Sequence, residues 1–225
     1  MLDPARLELE LPHIEGWTVR SVLGHTGWVF RFAKLSLEAD PDNPPSRSSV
    51  PEPPPGDDVI AWFSTGSDEL QAALENADLD AIRPTFTGPQ PATWWLRRVS
   101  HEVSIHRWDV ESAFASPDPI DAQQAKDGID EILEVFAPNR MQFATLGGQG
   151  ETVHLHATDI DDGEWFMTYG PDSIEWNHSH AKGDVAAQGP VSDLLLLLWG
   201  RIPASRLKIF GEAKLVDRWQ QSAAF

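Results

Sequence analysis

Between Trp94 and Glu111 the chain gathers His101, Glu102, His106, Arg107, Trp108 and Asp109. The stretch holds no proline or glycine and reads as a helix. On a helix, residues four apart lie on one face and point the same way. Glu102 and His106 have that spacing. They form either an ordinary Glu–His pair on a solvated face or two ligands for one metal ion. Asp109, three residues past His106, can orient an imidazole from behind. A metal site needs a third ligand from elsewhere. His25, set among Gly24, Thr26 and Gly27, is one candidate; its alternative reading is a hydrogen-bonded core histidine.

Composition narrows the chemistry. The 225 residues contain no cysteine, which excludes disulfides, thiolate zinc sites and a cysteine nucleophile. Any thiol chemistry must use a borrowed thiol. The formal net charge of −18 disfavours nucleic acid and an anionic membrane surface as partners. No apolar run approaches the ~18 residues of a membrane span. The first residues lack the basic and apolar regions of a signal peptide, so a cytoplasmic location is expected. No phosphate-binding glycine loop and no nucleophile elbow is present.

Helices must position these groups. Thr18 reads as an N-cap, and Val19, Val22, Leu23, Val29, Phe30, Ala33 and Leu37 form an apolar stripe behind it. A proline-rich run, 40–58, reads as an extended mobile loop, a lid or a disordered insert. A further helix follows over 59–76, capped by Asp57 or Asp58, with Ile60, Phe63, Leu70, Ala73 and Leu74 inward. Residues 83–92 read as loop. Thr93 is expected to cap the central helix, whose apolar period is Leu96, Val99, Val103 and Val110. Asp118 and Pro119 are expected to open the next helix, which ends before Pro138. Residues 1–138 therefore read as a helical bundle.

After Pro138 the apolar period changes from 3.6 to 2. Strands are expected over 141–146, 152–158, 164–169, 174–178, 183–188 and 207–210. A helix over 191–200 carries five consecutive leucines, Leu194 to Leu198, and should be sandwiched in a core. Residues 139–225 thus form a second, α+β domain with an antiparallel sheet. His154 with His156, and His178 with His180, are read as a polar solvent face, with metal binding by either pair as the alternative. Arg201 is placed either by the helix macrodipole or to hold a substrate carboxylate.

Three groups of residues now stand together: Gly16-Trp17-Thr18-Val19 followed by His25; His101-Glu102-Val103-Ser104-Ile105-His106-Arg107-Trp108-Asp109; and Gly189-Pro190 with the leucine run and Trp199-Gly200-Arg201. The chain in this respect resembles the mycothiol-dependent maleylpyruvate isomerase family of actinobacteria. That resemblance implies a DinB-like metal-binding bundle joined to a sterol-carrier-like domain. It implies a divalent metal, usually zinc, on the positions matching His25, Glu102 and His106. It implies mycothiol as co-substrate, with a metal-bound thiolate attacking a small electrophile, by isomerisation of a maleylpyruvate-like substrate or by thiol transfer. The alternative is a non-catalytic metal- or small-ligand-binding protein that keeps the fold. One departure is that only fifteen residues precede Gly16, too few for the family's full first helix. Either the start lies further upstream or the bundle is completed differently.

Overall fold

Thr18 begins the first long helix as its sequence suggests. In the computed structural model, which describes residues 3–139 and 146–222, the Thr18 side chain accepts from the Ser21 N–H and the Ser21 side chain accepts from the Thr18 N–H. This reciprocal capping box opens α1 (Val19–Glu38); α2 (Asp58–Asn76) and α3 (Thr93–Ser112) follow. The chain divides into two units, 1–118 and 119–225.

In the first unit, α1 packs on both other helices. Gly27 meets Trp62 and Phe63, Arg31 donates to the Trp62 carbonyl, and Lys34 pairs with Glu69. Contacts that rise together along both helices mean that α1 and α2 run parallel. Those between α1 and α3 run in opposite order, His25 to Glu102 and Phe32 to Trp95, so these two are antiparallel. A 20-residue helix is about 30 Å long, and a parallel partner needs a connection that returns most of that length. The proline-rich run is this connection. Along it Arg47 lies over Trp28, Pro53 faces Gly24, and the Gly56 carbonyl accepts from Arg20. The loop thus retraces α1 from its far end, with Val50 buried. Instead of a mobile loop, a lid or a disordered insert, the run is a packed crossover.

Gly24 and Gly27 make room for this packing. A Cβ on Gly27 would lie 2.7 Å from the Trp62 ring, and one on Gly24 3.1 Å from Pro53. Residues ahead of α1 complete the unit: Leu7 and Leu11 are buried with Val19, Val22, Leu23 and Val59. Their strand-like course is fixed by backbone bonds from Val19 to Leu9 and from Leu11 to Trp17.

Two expectations for α3 change. Its cap position is Ala92 rather than Thr93, with no side-chain cap. The amides of Ala92 and Thr93 are instead bound by the carbonyls of Ala81 and Leu79. Those bonds extend a small ribbon of β1 (Ile82–Arg83) and β2 (Gln90–Pro91), where loop was expected. Leu96 and Val103 face solvent, whereas Trp95, Val99, Ile105 and Trp108 are buried. The helix is rotated from its expected apolar period because its inward face also carries Arg98, Glu102, His106 and Asp109.

In the second unit the first helix, α4 (Ala122–Glu131), is capped by Asp121, which accepts from Gln123 and Gln124, and not by Asp118. Pro119 and Ile120 stay outside the helix, and the Ile120 N–H donates to Ser192 Oγ. The helix continues through a π turn, Ile132–Phe136, and on to Asn139. Pro138 lacks an N–H for the helical ladder, which accounts for the widened turn. Packing of α4 against α5 (Val191–Leu198) puts the boundary between units near 118, some twenty residues before the expected 138.

The sheet contains β3 (Glu151–Ala157), β4 (Glu164–Tyr169), β5 (Ile174–Asn177), β6 (Val185–Gly189) and β7 (Lys208–Gly211). Its order is β5-β4-β3-β6-β7. Every pairing is antiparallel except β3 with β6, which is parallel because the chain crosses over from β5 at the sheet's edge. Leu194 to Leu198 are all buried, as is Trp219 on α6 (Lys214–Ser222). The strand expected over 141–146 lies, apart from Leu146, outside the described residues. Among the described residues no helix is long and apolar enough to cross a membrane.

Candidate metal centre

His25, Glu102 and His106 come together inside the helical unit. One ligand atom from each lies within 4.8 Å of the other two. The Glu102 Oε1 is the common point, 2.6 Å from His25 Nε2 and 3.2 Å from His106 Nε2. Glu102 and His106 are buried, while the His25 side chain is 40% exposed. The cluster is therefore open on the α1 side and closed on the α3 side.

Each inner donor is held from behind. Arg98, one turn before Glu102 on α3, reaches Oε2 at 2.6 Å, leaving Oε1 to face the histidines. Asp109 Oδ2 lies 2.9 Å from His106 Nδ1. A carboxylate only accepts, so Nδ1 carries the proton and Nε2 is turned inward. Asp109 is fully buried, and its Oδ1 accepts from His13 Nε2 at 3.2 Å. Trp17 stacks on His106, with ring planes 10° apart, and meets His25 edge-on.

These partners set the charges. Burial opposes ionisation of Glu102, but hydrogen bonds from His106 and His25 and the charge of Arg98 hold its carboxyl well below the usual range. Burial also opposes a charged His106; its hydrogen bonds to Asp109 and Glu102 prevail and raise it to about 9. Without a metal, an imidazolium cation fills the role of neutralising the two acids. Two imidazole nitrogens and one carboxylate oxygen, those of Glu102 and His106 oriented from behind, are a donor set suited to a borderline divalent cation with one position left open.

The sequence did not single out Arg98, Trp17 or His13 as site residues. Arg98 carries a legible signal, its four-residue spacing to Glu102. Trp17 stands in a noted motif without a role, and His13 has no local signal, because its contact spans 96 residues. Arg201 is buried in the second unit, where its guanidinium donates to the Trp199 carbonyl.

The fold defines a two-unit class, a helical unit with an internal His–His–Glu cluster followed by an α+β unit around a five-stranded sheet. Residues 1–111 match the family model of the mycothiol maleylpyruvate isomerase N-terminal domain, and residues 123–218 match that of the corresponding C-terminal domain. The chain belongs to the mycothiol-dependent maleylpyruvate isomerase family. The fold is similar to the crystal structure of the mycothiol-dependent maleylpyruvate isomerase, at 16% identity and TM-score 0.61, covering 94% of this chain and 85% of that one. A histidine-to-alanine variant of that isomerase gives 20% identity, TM-score 0.61 and the same coverage of 94% and 85%. No curated protein matches the chain.

Proposed function

We propose that His25, Glu102 and His106 hold a divalent metal, with zinc the ion of choice, and that the protein is a mycothiol-dependent enzyme acting on a small electrophile. The observation that carries this reading is the convergence of three donor atoms on one point, with Arg98 and Asp109 orienting two of them. When bound, the ion supplies an open position at which a thiol loses its proton near neutral pH. The chain has no cysteine, so the thiol comes from outside. Membership of the family favours mycothiol, and cis–trans isomerisation of a maleylpyruvate-like substrate over thiol transfer.

The chain's own residues prepare this chemistry. Asp109 keeps the His106 proton on Nδ1, so that Nε2 presents its lone pair. Arg98 prevents Glu102 from turning away. Trp17 lies parallel to the His106 ring, with centroids 6.1 Å apart, and lines that side of the cluster. Access is left beside the part-exposed His25. Replacing His106 with alanine should abolish both metal retention and mycothiol-dependent turnover, read by elemental analysis and a thiol-dependent isomerase assay. Full activity in that variant would refute the assignment. The family fold without chemistry predicts metal binding with no turnover for maleylpyruvate in the intact protein.

A further inference from the structure

A second set of donors lies in the α+β unit. His154 and His156 alternate along β3 onto the same face, Glu164 stands opposite His156 on β4, and His180 follows β5. The His154 Nε2 is 2.5 Å from Glu164 Oε2. His156 Nδ1 and His180 Nδ1 are 2.5 and 3.0 Å from Oε1. One ligand atom from each of the four residues lies within 4.8 Å of the other three.

The three rings are not stacked. They meet edge-on, at 65°, 88° and 74°, with centroids 5.1 to 6.1 Å apart. Each ring turns one nitrogen to the Glu164 carboxylate. A tetrahedral ion with bonds of ~2.0–2.1 Å keeps its ligand atoms about 3.4 Å apart, within reach of small side-chain shifts from these distances. His178, two residues earlier, is not part of the set. It turns to the Glu164 carbonyl and to Asp130.

We infer that His154, His156, Glu164 and His180 form a second site for a divalent transition metal, independent of the cluster in the helical unit. Three imidazoles and one carboxylate suit zinc or its borderline neighbours and not calcium or magnesium, which require mostly oxygen. Four protein ligands fill a tetrahedral shell, so the site is structural. It ties the segment after β5 to the β3–β4 hairpin. His154 is buried and its position is fixed by the sheet, whereas the His180 side chain is 74% exposed and offers the route of entry.

Equilibrium dialysis of the full-length, chelator-stripped protein against zinc alone tests this. Three proteins are compared: the wild type, His156→Ala/His180→Ala and His25→Ala/His106→Ala. Two zinc per chain are expected for the wild type and one for each double variant. Zinc should raise the melting temperature of His25→Ala/His106→Ala by filling its remaining site. The single variant His180→Ala, at an exposed position that the fold does not need, should weaken that site at least tenfold. Should the cluster in the helical unit fail to bind, the wild type would take one zinc, retained in His25→Ala/His106→Ala and lost in His156→Ala/His180→Ala. That result supports the second site while refuting the first. Unchanged zinc binding in His156→Ala/His180→Ala, or none in a folded His25→Ala/His106→Ala protein, overturns the inference.

Discussion

At the scale of single residues, His106 links the site's charge to its stability. Its imidazolium is raised from the ordinary 6.5 to about 9 by Asp109 and Glu102. A raised folded value stabilises fully below the unfolded value and is lost as pH climbs through the folded one. The metal-free protein should therefore lose stability between about pH 6.5 and pH 9, by at most about 3 kcal/mol. Urea denaturation of chelator-stripped protein at both ends of this window measures the loss. A metal must displace the Nε2 proton, so zinc affinity should rise over the same window, with about one proton released from His106 at pH 7. Isothermal titration in buffers of different ionisation enthalpy counts that proton. Asp109→Asn leaves the shape but weakens the grip on the His106 Nδ1 proton. It should reduce metal affinity 10- to 100-fold, and an unchanged dissociation constant would show that Asp109 does not act through His106.

The helices and strands explain which parts of this were legible from residue order. The Glu102–His106 spacing could be read because a helix fixes it locally. His25 could not be joined to that pair by spacing alone, since 77 residues intervene; the family resemblance supplied it. Likewise residue order shows His154 with His156 and His178 with His180 only as two separate pairs, and it does not show Glu164 beside them, because Glu164 meets His156 only through the pairing of β3 with β4. The proline-rich run reads as a mobile loop, a lid or a disordered insert because nothing local shows that α1 and α2 are parallel. The apolar period of α3 misled for a related reason: its buried face is partly built of site residues, which a count of hydrophobic positions leaves out. The close passage of α1 and α2 has its own test. Gly27→Ala drives a methyl into the Trp62 ring and should cost about 1–3 kcal/mol in chemical denaturation. No loss there would mean that the Trp62 ring gives way at no more cost than the roughly 1 kcal/mol that alanine gains over glycine within a helix. Removing the cap by Thr18→Ala should cost about 1 kcal/mol and loosen Trp17 from His106.

At the scale of the whole molecule, the two units each carry a donor cluster built from residues of that unit alone. Their stabilities should respond to zinc separately, since an ion that binds only the folded state stabilises it by mass action. A net charge of −18 spreads acidic groups over the chain and adds a general, salt-sensitive attraction for cations. Zinc binding at the two clusters should survive raised salt, because their donors are oriented and partly buried. X-ray absorption at the zinc edge tests the central claim most directly, using His156→Ala/His180→Ala protein loaded with one zinc, before and after mycothiol. The account predicts nitrogen and oxygen scatterers alone at first, then one sulfur at ~2.3 Å once mycothiol is added. A zinc environment that takes up no sulfur, or a protein that retains no zinc, would contradict it.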